Sequence, residues 1–223
     1  MGEPVHEPPP VLPRMEDNAA PVRSLRDSNA LRPPARYCEA IEVTEPKTFS
    51  EAMTGPWASE WHTAAQEEYD SLTKMGVWEL QELPPGRKAI GNKWVFKVKR
   101  DADGTIKRFK ARLVAQGFLQ RFSVDYTETY APVASLGVTR LLIAAAVYRG
   151  WHVHQADIET AYLNGDVEEE IYMVQPLGFI KPGEENKVCR LKRSLYGLKQ
   201  SGRCWNRKLN TKFLEAGFIR ILA

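Results

Sequence analysis

His154-Gln155-Ala156-Asp157-Ile158-Glu159-Thr160-Ala161-Tyr162-Leu163-Asn164-Gly165 is the stretch on which the reading of this chain turns. Apolar Trp151 and Val153 lead into a lone acid, Asp157, and an aromatic, Tyr162, stands five residues later, before an Asn-Gly pair that predicts a turn. On a strand, Val153, Gln155 and Asp157 share one face, because strand side chains alternate. A carboxylate at the end of such a strand suits a hard cation such as Mg²⁺, which takes oxygen ligands and uses only one or two protein carboxylates beside substrate phosphates. An ordinary acid at a strand end has the same local pattern, so the surroundings decide.

The net charge of +3 conceals blocks. Residues 38–86 carry ten acids and two bases, and residues 87–121 carry eleven bases and two acids. Residues 122–186, which hold Asp157, carry ten acids and three bases, and residues 187–212 carry nine bases and no acid. Two basic blocks around an acidic one match a polyanion gripped from two sides with metal ions between. Charge runs also occur simply as solvated faces. Cys38, Cys189 and Cys204 show no paired spacing, which speaks against a zinc site and for a reduced, intracellular setting. No apolar run reaches membrane-spanning length. His152 and His154 lack a third ligand nearby and read as structural.

Residues 1–36 hold eight of the fifteen prolines and show neither helical nor strand periodicity, so residues 1–47 are expected to be a disordered Pro-rich tail. Thr48-Phe49-Ser50-Glu51 fits a capping box. A helix after Pro56 places Trp57, Trp61, Ala64, Ala65, Leu72 and Met75 inward, with Glu67, Glu68 and Asp70 outward, and Gly76 at its end. Residues 88–117 read as a hairpin turning at Asp103-Gly104. Trp94, Phe96 and Val98 alternate with Lys93, Lys97 and Lys99, and Phe109, Ala111 and Leu113 alternate with Arg108, Lys110 and Arg112. One face is therefore apolar and the other cationic, suited to several phosphate oxygens at once, although edge lysines also discourage aggregation. A loop with Phe118, Phe122, Tyr126 and Tyr130 follows. Ser135 is expected to cap a helix to Arg149 with Val138, Leu141, Leu142, Ala145 and Ala146 inside. Ile171–Val174 and a short segment at Val188 and Leu191 read as strands, and residues 202–216 as a helix with Trp205, Leu209 and Phe213 inward.

Six stretches then fall in order: Lys93 to Lys99, Lys110 to Phe118, Asp125-Tyr126 through Ala131-Pro132-Val133, Gln155 to Gly165, Glu170 to Met173, and Ser194-Leu195-Tyr196-Gly197-Leu198-Lys199-Gln200. Together they resemble the reverse transcriptase of Ty1/copia-type retrotransposons over roughly residues 48 to 218. The resemblance implies an α+β fold: a partial right-hand polymerase of fingers and incomplete palm, with a mainly antiparallel sheet and packed helices, spanning residues 48–223. It implies RNA-directed DNA polymerisation with Mg²⁺ or Mn²⁺ as cofactor, and a template–primer of RNA or DNA and deoxynucleoside triphosphates as partners, with no membrane. The hairpin corresponds to the fingers. Asp157 matches the first catalytic aspartate and a metal ligand, with the Ile158 carbonyl as a further ligand. Tyr162 matches the aromatic gate under the incoming sugar, where the family more often has Phe. Lys110 and Arg112 match residues that hold the triphosphate, and Gln200 a glutamine near the incoming nucleotide. The family's palm continues into a Tyr-x-Asp-Asp hairpin, whereas this sequence contains no Asp-Asp pair and ends at Ala223. The expectation is a truncated domain that does not polymerise alone. The alternatives are a non-catalytic nucleic-acid-binding module and a remnant of an element without function.

Overall fold

The computed structural model describes residues 43–219. Residues 1–42, with Cys38 and most of the expected tail, lie outside the described residues. Order begins before the expected Thr48: Val43 is already part of the core, and Glu45 bonds the Val98 N–H and pairs with Lys97.

Two helices open the fold, α1 (Phe49–Thr54) and α2 (Ala58–Lys74). The Thr48 side chain caps α1 by accepting from Glu51 N–H at 3.1 Å. Glu51 reaches back to the N–H of Lys47 at 2.9 Å rather than to that of Thr48, so half of the expected capping box forms. Gly76, at φ 62°, lets the chain leave α2 in the left-handed region. The strands follow as β1 (Trp78–Gln81), β2 (Asn92–Arg100) and β3 (Ile106–Ala115). After them come α3 (Leu136–Arg149), β4 (Asp166–Met173), β5 (Val188–Arg193) and α4 (Ser201–Glu215). The sheets are antiparallel: β1, β5 and β4 form one in that order, and β2 and β3 form the other as the expected hairpin. The fold is α+β.

The apolar face of the hairpin is the centre of the core. Trp94, Phe96, Ala111 and Leu113 are buried on it. From α2, Trp61 meets Phe109 edge-on at 4.6 Å and Phe96 at 5.3 Å between ring centres. Trp94 donates its ring N–H to the Leu177 carbonyl at 3.0 Å, so burial leaves no donor unpaired. Phe179 stacks on Tyr69 at 4.6 Å and closes this aromatic layer.

Three expectations fail. Residues 151–158 form no strand and are exposed, because a strand exists only through its ladder and no described strand pairs with them. In α3 only Ala146 is buried; Leu141, Leu142 and Val147 stand in solvent, with apolar residues on every side rather than in one stripe. On α4 the buried residues are Ser201 and Cys204, while Phe213 is exposed. The expected turn at Asn164-Gly165 has a different physical role. Asn164 ends a short 3-10 helix (Ala161–Asn164), and Gly165 lies against α4, where a Cβ would come within 2.9 Å of Cys204 backbone.

Candidate nucleotide and nucleic-acid site

Register makes the cationic face of the hairpin continuous. Lys97 stands directly opposite Lys110, Lys99 opposite Arg108, and Val95 opposite Arg112. Lys93 is on the same face, so six cations share one side of a two-stranded sheet. Like charges directly across an antiparallel pair are destabilising. Lys97 is relieved by Glu45, but Lys93, Lys99, Arg108, Lys110 and Arg112 make no ion pair among the described residues. Burial and the neighbouring Arg112 and Arg108 charges lower the pKa of Lys110.

The second basic block behaves differently. On α4, Arg203 pairs with Glu128, Arg207 with Glu168, Lys208 with Asp166 and Lys212 with Glu215. Arg190 and Lys192 share Glu79, and Lys187 pairs with Glu184. Most cations of the second basic block are thus paired with acids, Arg193 and Lys199 excepted, whereas five of the six cations on the hairpin face make no ion pair among the described residues.

The loop Ser194–Gln200 joins the hairpin to the rest. Ala115 N–H donates to the Tyr196 carbonyl at 2.8 Å, and Ser194 N–H to the Gly165 carbonyl at 2.8 Å. At Gly197, φ is 89° and a Cβ would stand 2.3 Å from the Ala115 oxygen; at Gly117 it would stand 2.0 Å from the Gly197 oxygen. Only glycine permits this approach of backbone to backbone. The loop thereby presents Tyr196 to both neighbours: the Arg112 guanidinium lies 5.7 Å from its ring centre, and the Tyr162 ring meets it nearly edge-on at 6.2 Å. Burial, reinforced by the negative charge of Glu68, raises the pKa of the Tyr196 hydroxyl. Arg112 and Tyr162, 50 residues apart in sequence, are thus brought to one ring. Tyr196 was not among the residues expected at the site; its mark in the sequence is an aromatic followed at once by glycine.

Gln200 is placed behind this surface, with no solvent exposure. Its amide donates to the Asp125 carbonyl at 2.9 Å and to Glu169 at 3.3 Å, and its carbonyl accepts from Gln120 at 3.0 Å. Gln120 in turn accepts from Lys199 N–H at 2.8 Å. This is a satisfied buried network that ties the loop at 120–125 to the start of α4. Gln200→Ala strands these partners and is expected to destabilise the fold by about 2–3 kcal/mol. Combining it with Gln120→Ala is expected to cost less than the sum of the two, measured as a double-mutant cycle in urea.

Asp157 and Ile158 lie exposed in the irregular segment that leads to Tyr162. Among the described residues no three His, Cys, Asp or Glu side chains gather as a metal site requires. One exposed carboxylate does not fit a pair of divalent ions, each of which needs several oxygen ligands. Cys189 and Cys204 are buried free thiols, and burial pushes Cys189 up to about 12, outside the reactive range. No described helix is long and apolar enough to cross a membrane.

A protein-family model described as reverse transcriptase (RNA-dependent DNA polymerase) matches residues 75–223. This chain belongs to that family. It is similar to the retrovirus-related Pol polyprotein from transposon TNT 1-94 of Nicotiana tabacum, with 41% identity over 188 residues. It is also similar to that from transposon RE2 of Arabidopsis thaliana, with 36% identity over 228 residues. These alignments cover 84% and 96% of this reverse transcriptase-family chain but only 14% and 16% of the two polyproteins. An uncharacterized mitochondrial protein of Arabidopsis thaliana is 39% identical over 127 residues, which is 72% of its length. No solved structure matches the chain at a significant level.

Proposed function

We propose that these 223 residues supply the fingers and the first part of the palm of an RNA-directed DNA polymerase, from residue 48 onward. The carrying observation is the outer face of the hairpin, where six cations include two like-charge pairs directly opposite each other. Such a face is costly unless an anion covers it, and a nucleic-acid backbone or a triphosphate is the anion the family handles. In this reading Lys110 and Arg112 hold the triphosphate, and Arg adds a bidentate fork. Tyr162, whose position the Tyr196 ring contact supports, lies under the incoming sugar. Gln200 acts on the nucleotide through the loop it anchors. Asp157 and the Ile158 carbonyl are the chain's contribution to Mg²⁺ or Mn²⁺ binding, and further carboxylates must join them before the family's two-metal chemistry is supplied.

A second reading is a nucleic-acid-binding module without catalysis, favoured by the lack of any carboxylate cluster around Asp157 among the described residues. One experiment addresses both. The 223-residue protein is titrated onto a fluorescent RNA–DNA primer-template at several salt concentrations, and primer extension is assayed in parallel with Mg²⁺ and with Mn²⁺. Binding is expected to weaken by at least about tenfold between roughly 50 and 200 mM salt, and to be unchanged by Asp157→Asn. Affinity that stays flat across that range would overturn the assignment of the hairpin. No extension is expected from these residues alone; extension abolished by Asp157→Ala would show that they complete the catalytic site after all.

A further inference from the structure

Among the described residues the hairpin sheet has two strands, so both of its outer edges carry backbone N–H groups that no described strand satisfies. Each edge is met by a glutamate from elsewhere in the chain. On the β2 side, Glu45 accepts from Val98 N–H at 3.1 Å and pairs with Lys97. On the β3 side, Glu68 of α2 accepts from Leu113 N–H at 3.4 Å, between the backbone positions of Arg112 and Val114. Sequence periodicity placed Glu68 outward on α2; the structure instead half-buries it against β3. It lines a recess of about 110 Å³ together with Ala64, Glu67, Arg108, Phe109, Lys110 and Ala111. No salt bridge joins it to Lys110 or Arg112 among the described residues, yet the charges of both reach its carboxylate.

We propose that Glu68 is the positioning residue of the nucleotide site: it fixes β3 through Leu113 N–H, and its charge sets how strongly Lys110 and Arg112 hold a polyphosphate. The proposal rests on the assignment of those two cations to the triphosphate. While ionised, Glu68 opposes part of their positive charge and weakens the hold on the anion. When neutral, it leaves the hydrogen bond in place and strengthens that hold. Burial raises the pKa of Glu68, while the Leu113 N–H and the charges of Lys110 and Arg112 pull it down. The titratable groups facing it are Lys110 and Arg112 of β3, Tyr196 of the loop, and Glu67 and Arg108 in the recess. Because burial raises its pKa, Glu68 takes up its proton at higher pH than an ordinary carboxylate, so the charge effect is present at neutral pH and fades as the pH falls.

The test uses inorganic triphosphate, titrated by calorimetry onto the whole 223-residue protein, its Glu68→Gln and Glu68→Ala variants, and a Lys110→Ala/Arg112→Ala double variant. Glu68→Gln keeps an oxygen for Leu113 N–H and removes the charge. It is expected to bind triphosphate about fivefold tighter near neutral pH, to converge on the parent as the pH is lowered, and to melt no lower. Comparing variant with parent at each pH cancels the titration of triphosphate itself. Glu68→Ala is expected to gain affinity at neutral pH as well, but to melt lower because it loses the edge hydrogen bond. Equal affinity of the parent and Glu68→Gln near neutral pH, while the double variant loses binding, would overturn the role of Glu68 and leave the nucleotide site standing. Undiminished binding by the double variant would overturn both.

Discussion

Gly197→Ala is expected to be the most damaging single substitution in the described fold, lowering stability by about 3–5 kcal/mol. Two costs combine. At φ 89° an L side chain is strained by about 1–2 kcal/mol. The new Cβ would also stand 2.3 Å from the Ala115 oxygen and 2.7 Å from Val114, so the loop must move off β3. That movement breaks the 2.8 Å bond from Ala115 N–H to the Tyr196 carbonyl and leaves a buried donor unpaired. Domains commonly have only about 5–15 kcal/mol in total, so much of the margin would go. Thermal melting is the check, with a fall of roughly 10 °C expected for a chain of this size. The functional consequence is separable: Tyr196 would no longer stand between Arg112 and Tyr162, so triphosphate affinity should fall even at temperatures where the variant remains folded. A destabilisation below about 1 kcal/mol would show that the loop docks less tightly than these distances state.

Neutralising the outer face of the hairpin is expected to have the largest effect on binding. In the quadruple variant Lys99→Gln, Arg108→Gln, Lys110→Gln, Arg112→Gln, affinity for an RNA–DNA primer-template should fall by about 10²–10³-fold, and the salt slope should drop by about one unit for each phosphate that is no longer neutralised. Stability should hold or rise slightly, because the Lys99–Arg108 and Lys97–Lys110 pairs place like charges directly opposite each other. The matching control replaces Arg203, Arg207, Lys208 and Lys212 on α4 with Gln. Those four are already paired with Glu128, Glu168, Asp166 and Glu215, so affinity should change by less than about threefold. A larger fall in affinity from the α4 set than from the hairpin set would show that the ion pairs open for nucleic acid and that the second basic block takes part.

Much of this was legible in the sequence because it is local. The hairpin needs only alternation of period two and an Asp-Gly turn, and both lie within 30 consecutive residues, 88 to 117. The Thr48 cap, the exit at Gly76, and Gly150 at φ 65° after α3 are each set by a few neighbouring residues. Family membership was legible too, since it depends on ordered motifs rather than on contacts. What only the tertiary structure decided involves partners distant along the chain. Lys208 meets Asp166 at a separation of 42 residues, Leu113 meets Glu68 at 45, and Gln120 meets Gln200 at 80. No periodicity announces that the cations of α4 are paired while most of those on the hairpin face are not, that Glu68 turns inward, or that Gln200 is sealed in a buried network. The segment around Asp157 shows the same limit from the other side. Its alternation is compatible with a strand, but a strand is made by the neighbour that supplies its hydrogen bonds, and the sequence of one segment does not contain its neighbour.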